Sequence, residues 1–200
     1  MNFRASAIVC ASRPHGETAA IVRLLTAEHG LVAGYVAGGR GRQLRPVLVP
    51  GNVVEAELRS KSESQLPFAR LELQTSRGPW LSEPLPAAAI GWATAFTASV
   101  LPERHAYPAL YPALAALLDA LCHAPSARGW LPGLLAYETL MLRELGYGGD
   151  LPEQLDEDMP ALLARFDALG ARIARYLLAE RRGDVMAARA MLRERLAKMG

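Results

Sequence analysis

Lysine is nearly missing from this sequence. Of its 22 basic residues only Lys61 and Lys198 are lysines, which leaves 20 arginines. Arginine presents a rigid fork of donors that suits phosphates and carboxylates, although an arginine excess is also what a GC-rich coding sequence yields. Cysteine is as scarce. Cys10 and Cys122 are the only two, which excludes a disulfide scaffold and an all-cysteine zinc site and fits a reducing compartment. The four histidines, His15, His29, His105 and His123, are scattered. Only His123 adjoins a cysteine, and neighbouring helical residues point in different directions, so Cys122 and His123 are read as packing residues rather than ligands. No glycine-rich loop ends in Lys-Ser or Lys-Thr, and no serine sits in a nucleophile elbow. Catalysis therefore has no residue support, and a small hydrolase is the weakest reading. The apolar run before Arg13 is too short for a signal peptide. The uncharged stretch 84–102 is rich in alanine and broken by Thr94, Thr97 and Ser99, so it predicts a buried core helix, not a membrane span.

What remains is a chain of 200 residues, 51% hydrophobic and 21% charged, an ordinary globular composition with room for one large domain or two small ones. Its net charge of +2 hides a division. Residues 1–82 carry ten basic and six acidic groups, net +4, and the rest twelve basic and fourteen acidic, net −2. The texture changes at the same place, the Pro- and Gly-containing seam Gly78-Pro79-Trp80-Leu81-Ser82-Glu83-Pro84, which predicts domains at 1–80 and 81–200. Before it, short apolar runs and period-two alternation predict strands over 5–12, 19–26, 31–37, 52–59 and 68–74. Five short strands in so few residues point to a small barrel, of which the OB-fold is the natural candidate. After the seam, apolar residues three and four apart predict helices over 85–101, 109–123, 129–145, 161–180 and 185–198. Gly146 is placed to end one helix, Asp158 with Pro160 to start another, and Gly183-Asp184 to cap the last. The fold class is an all-β N-terminal barrel followed by an all-α domain.

Two groups of arginines stand out. Arg40, Arg42 and Arg45 lie among Gly38, Gly39 and Gly41, and a glycine-rich basic loop can wrap guanidinium groups around a phosphate backbone. The plain alternative is that they solubilise a loop. The barrel's aromatics are few, Phe3, Tyr35 and Phe68, so the expectation is phosphate contact, independent of sequence and sensitive to salt, more than base stacking. Lys61 joins these arginines as a candidate DNA contact. In the last helix Arg189 and Arg193 are four residues apart and share a face, with Arg181 and Arg182 just before it. With Val185, Met186, Leu192 and Leu196 nearby, these could edge an apolar groove for an acidic peptide, against the simpler reading of a charged outer face.

The order of the pieces resembles a known family. A first strand running into Arg13, then Gly16-Glu17, Ile21-Val22-Arg23-Leu24-Leu25-Thr26, Gly30 and a Gly/Arg loop resembles the start of the bacterial recombination mediator RecO. Leu44-Arg45-Pro46 with Pro50-Gly51, the Leu145-Gly146-Tyr147 helix end and the closing helix from Ala187-Ala188-Arg189 to Leu196 resemble its later parts. The resemblance implies an OB-fold followed by a helical domain, without enzymatic turnover, that binds single- and double-stranded DNA and anneals complementary strands. It implies RecR and the acidic C-terminal tail of single-stranded DNA-binding protein as partners, help in loading recombinase onto coated DNA, and a cytoplasmic protein that joins the nucleoid during repair. It also implies DNA contacts at Arg13, Arg40 and Arg42 and tail contacts at Arg189 and Arg193. The sequence departs from the family after Tyr147: many members carry a four-cysteine zinc element there, whereas residues 148–156 hold no cysteine or histidine, so no metal is expected. The chain also looks shorter than a typical member, which suggests trimmed loops. The competing reading is a non-catalytic adaptor whose helical domain is the working surface.

Overall fold

Alternation of apolar and polar residues commits the first third of the chain to strands, and the computed structural model, which describes residues 2–62, 64–148, 158–179 and 184–198, closes them into a barrel. The strands are β1 (Asn2–His15), β2 (Ala19–Thr26), β3 (Gly30–Val36), β4 (Val53–Arg59) and β5 (Phe68–Thr75). Their order round the barrel is β1-β2-β3-β5-β4. Every pairing is antiparallel except that of β3 with β5. This is the OB-fold anticipated from the sequence.

The strand that differs from expectation is β1, which runs over fourteen residues instead of eight. Its first half pairs with β4 from Asn2 to Ile8 and its second half with β2 from Ala7 to His15. Asn2, Arg4 and Ser6 face solvent, so the stretch lacks an apolar run to mark it. A register shift between Val9 and Ala11 places a bulge at Cys10, which bends the strand so that it serves both walls. Burial pushes the Cys10 thiol up to about 12, against smaller opposing effects of the Leu25 backbone and Arg23.

Inside the barrel Val9, Val22, Leu24, Val32, Val54 and Leu58 form the core, plugged by Leu48 from the long β3–β4 connection. At Gly34 an added Cβ would lie 2.8 Å from the Cβ of Ala69, so two small residues let β3 and β5 meet. Asn52, fully buried, fixes the connection: its Nδ2 donates to the carbonyls of Pro46 (2.8 Å) and Val47 (3.2 Å), and its Oδ1 accepts from the Arg77 backbone N–H (2.7 Å).

The chain divides into two compact units, Met1–Ser82 with Leu101–Tyr111, and Glu83–Val100 with Pro112–Gly200. The segment 101–111 thus belongs with the barrel, which no sequence pattern announced. The Arg104 N–H donates to the Leu31 carbonyl (2.8 Å), Arg23 pairs with Glu103 (3.1 Å), and the Tyr111 hydroxyl meets Ser6 Oγ (3.0 Å).

The second unit contains α1 (Pro84–Val100), most of α2 (Leu110–His123), α3 (Ala127–Glu144), α4 (Met159–Tyr176) and α5 (Asp184–Ala197). The uncharged helix α1 is a core helix: Ile90, Trp92, Ala93, Phe96 and Thr97 are buried, and no described helix is long and apolar enough to cross a membrane. The local end signals read from sequence appear as expected. Gly146 takes φ 87° after α3, with the Tyr147 N–H donating to Leu142 and the Gly146 N–H to Arg143, a Schellman ending. Asp158 caps α4 through the Ala161 N–H at 2.9 Å. Gly183 lies outside the described residues, and α5 begins at Asp184. Cys122 is buried as read, whereas His123 is exposed at the end of α2, with Nδ1 2.8 Å from the Asp119 carbonyl.

The centre of this unit is ionic. Glu138 on α3 is fully buried and Arg189 on α5 is 4% exposed. Arg189 donates through Nε to Glu138 Oε1 (3.0 Å) and through Nη2 to Oε2 (2.7 Å), and Nη2 also meets the Phe166 carbonyl of α4 (2.6 Å). Trp92 of α1 donates to Glu138 Oε1 (2.7 Å), and the guanidinium lies 3.7 Å over the Phe166 ring. Burial pushes the Glu138 carboxyl up, and the charge and hydrogen bonds of Arg189, then the Trp92 N–H, oppose it. One node therefore joins four helices. Gly170 leaves the room for it, since any Cβ there would strike the guanidinium.

Removing one member of such a pair strands a buried charge, at a cost of about 3–5 kcal/mol, whereas replacing both with apolar residues is close to neutral. Arg189→Met should lower stability by that order in denaturant melts, and Glu138→Leu added to it should recover most of the loss. A single variant as stable as the parent would contradict the node.

Candidate nucleic-acid interface

The barrel's outward residues gain their meaning from register. Arg13 on β1 pairs with Ile21 on β2, Ile21 with Tyr35 on β3, Tyr35 with Phe68 on β5, and Phe68 with Arg59 on β4. Directly paired residues point to the same face, so these five form one stripe across all five strands, with an arginine at each end and aromatic rings in the middle. Neighbouring strands lie about 4.8 Å apart, which makes the stripe about 19 Å wide. Traced onward, Arg59 pairs with Asn2, so the stripe returns to β1 far from Arg13, as the tilt of a small barrel requires.

The rings support one another. His15 meets Tyr35 edge-on at 5.9 Å and Tyr35 meets Phe68 edge-on at 5.1 Å. The Tyr35 N–H donates to the Pro67 carbonyl (2.8 Å), which fixes the start of β5. Phe68 is 64% exposed. It lines two clefts: one of about 490 Å³ with Val36, Leu44, Arg59 and Arg70, and one of about 920 Å³ with Arg59, Lys61 and Leu66. Phe3, the third aromatic read from the sequence, lies away from this chain of rings, packed against the barrel core and 3.8 Å from the His29 ring.

Three connections spring from the stripe: the turn after β1, the basic connection after β3, and the loop before β5. Arg40 joins the first two. Its Nη1 donates to the carbonyls of Gly16 (3.1 Å) and Glu17 (2.9 Å), and its backbone N–H donates to Thr18 (3.0 Å). The glycine-rich basic loop is thus tethered through the first of its arginines. Arg42 and Arg45 are exposed, as are Arg13 and Lys61. Arg59 is exposed and pairs with Glu57 on its own strand.

The adjoining rows are different in charge. Outward positions on β1, β4 and β5 bring Arg4, Glu57 and Arg70 into one row and Ser6, Glu55 and Glu72 into the next. Arg4 bonds Glu55 at 2.7 Å, and that hydrogen bond holds its guanidinium above the ordinary arginine range. Three carboxylates stand there beside two arginines, and one of them, Glu57, reaches Arg59 at the end of the stripe. The basic surplus of the barrel falls on the stripe and its connections.

In the helical unit the described arginines are placed otherwise than as the edge of a groove. Arg189 does not edge a groove: its guanidinium is committed to Glu138 and the Phe166 carbonyl inside the fold, which corrects its reading as a partner contact. Arg193 is partly exposed and forks onto Asp167 at 2.8 and 2.9 Å. Arg181 and Arg182 lie outside the described residues. Among the described residues no group of three or more His, Cys, Asp or Glu is placed to hold a metal ion. Sequence reasoning passed over Arg59, because only its pairing with Phe68 joins it to the stripe.

A closed five-stranded barrel with a cationic, aromatic-centred face, followed in the chain by a helical unit, defines an OB-fold protein of two parts. Comparison with known proteins agrees. The family described as Recombination protein O N terminal matches residues 1–76, and Recombination protein O C terminal matches residues 82–196. Curated relatives include proteins named DNA repair protein RecO from Rhodospirillum centenum, 42% identical over 151 residues, covering 75% of this chain and 59% of that protein. The protein of that name from Phenylobacterium zucineum is 41% identical over 153 residues, covering 76% and 61%. The chain belongs to the RecO family. It spans about 60% of the length of these relatives.

Arg40→Ala should free the basic connection without unfolding the barrel. Amide exchange should rise across 38–45 and in the turn 16–18, while global stability changes by no more than about 1 kcal/mol, the worth of an ordinary exposed hydrogen bond. Unchanged exchange in both segments would show that the tether does not operate.

Proposed function

We propose that this protein is a non-enzymatic mediator of DNA repair and recombination, which binds single- and double-stranded DNA through its barrel and anneals complementary strands. The observation that carries the reading is the stripe from Arg13 through Tyr35 and Phe68 to Arg59, flanked by Arg42, Arg45 and Lys61. Arginines at both ends suit a backbone laid across the strands, with phosphates at intervals and no demand on sequence. Arg40 contributes by holding the connection that presents Arg42 and Arg45.

Membership of the RecO family supports the rest of the proposal: RecR as a partner, recognition of the acidic C-terminal tail of single-stranded DNA-binding protein, help in loading recombinase onto coated DNA, and work in the cytoplasm at the nucleoid. Of the helical-unit arginines suggested for the tail, Arg193 is the described one whose exposure suits such contact, by exchanging Asp167 for a carboxylate of the peptide. The adaptor reading loses ground because Arg189, on which it leaned, is committed to the interior.

The test is binding of the Arg13→Ala, Arg59→Ala double variant to single-stranded oligonucleotides over a range of salt. Affinity should fall, and the slope of log K against log salt should flatten by about 0.7 for each phosphate that the protein no longer neutralises. A double variant with the parent's affinity and slope would overturn the assignment of DNA to this face.

A further inference from the structure

We infer that Phe68 makes the barrel selective for unpaired DNA by stacking between exposed bases. The inference rests on the DNA-binding reading above and goes further, since phosphate contact alone does not distinguish paired from unpaired strands.

Phe68 is a large apolar ring at the first position of β5, 64% exposed, where an amphipathic strand would ordinarily place a polar residue. Its position is fixed from below. The Tyr35 ring braces it at 5.1 Å, His15 braces Tyr35 at 5.9 Å, and the backbone bond from Tyr35 to Pro67 holds the strand entry. A ring held this way loses little freedom when a planar ligand settles on it, which is the condition for stacking to contribute to affinity.

Phe68 is also a shared wall. The cleft with Val36, Leu44 and Leu71 lies against it, and so does the cleft with Leu66. Each cleft joins apolar surface to a surplus of positive charge: Arg59 lines both, Arg70 the first, where Glu57 also stands and pairs with Arg59, and Lys61 the second. A nucleotide has the same division, with an apolar π-face on the base and a charge on its phosphate. The recurrence of that pairing beside one ring favours nucleic acid over an apolar protein segment, which would have no use for a cation in each cleft.

The selectivity follows from where bases lie. In a duplex their faces are covered by neighbouring pairs, and exposing one costs a few kcal/mol. In a single strand the faces are available at little cost. Stacking on Phe68 therefore adds affinity to unpaired DNA and leaves duplex binding to the arginines.

The experiment compares Phe68→Leu and Phe68→Trp in the full chain, by titration with a fluorescent single strand and with a duplex of the same length. Phe68→Leu keeps an apolar side chain but removes the ring. It should weaken single-strand binding by about fivefold to a hundredfold, the range for one stacked base, and leave duplex affinity and its salt slope unchanged. Phe68→Trp should keep single-strand affinity, and its indole fluorescence should be quenched by the oligonucleotide but not by the duplex. Two outcomes would overturn the inference: Phe68→Leu binding single strands as well as the parent, as an apolar docking site for protein would allow, or equal losses for both forms of DNA. The Arg13→Ala, Arg59→Ala variant separates this from failure of the broader reading. If DNA does not use this face, the arginine variant and Phe68→Leu both bind as the parent does; if only the stacking inference fails, the arginine variant alone is weakened.

Discussion

Five strands are few with which to close a barrel. Closure demands steep tilt and a strong stagger in register, and β1 supplies them by being long enough to pair with β4 through one half and β2 through the other. The two pairings overlap at Ala7 and Ile8, and the bulge at Cys10 follows directly. The candidate DNA surface inherits its shape from this solution. A row of residues followed across the strands becomes an oblique stripe, and residues as far apart in sequence as Arg13 and Arg59 become its two ends.

The helical unit depends on a different constraint. A buried arginine cannot shed its charge, so everything around Arg189 is arranged to accept it: two carboxylate oxygens, a backbone carbonyl and an aromatic face. The geometry leaves few alternatives. Glu138, Trp92 and Phe166 come from three helices, and Gly170 gives the guanidinium its space. A node of this kind specifies which helix faces meet as well as holding them together, because an apolar contact tolerates small shifts that a forked ion pair does not.

Much of this was legible in the residues because it was local. The Asp158 cap, the Gly146 helix end and the alternation of β4 and β5 each depend on a few neighbours in sequence, and the structure repeats them. The outward position of Phe68 was readable too, from its place opposite Ala69 and Leu71. What it stands beside was not. Tyr35 and Arg59 reach it only through strand pairing across long loops, and a one-residue slip in that pairing would scatter the stripe. The misreading of Arg189 has the same origin. Four-residue spacing correctly placed it on one face with Arg193, but nothing near it in sequence identifies Glu138, 51 residues away, as its partner. The 101–111 segment was silent for the opposite reason: most of it lies between two periodic stretches, and the backbone and polar contacts that tie it to the barrel are ones that any loop could carry.

The seam between β3 and β5 is held differently from the others. The antiparallel pairs run in register for seven or eight residues, while the parallel seam registers through Tyr35 and Phe68. Gly34 and Ala69 bring the backbones together there but contribute little side chain. The barrel has a lightly fastened join, and the aromatic pair that marks it lies at the centre of the stripe. Any molecule that bridges the stripe also fastens the join. Binding and closure then share one free energy, so a ligand on this face is a sixth, borrowed element of the barrel, and occupancy makes the fold itself harder to open.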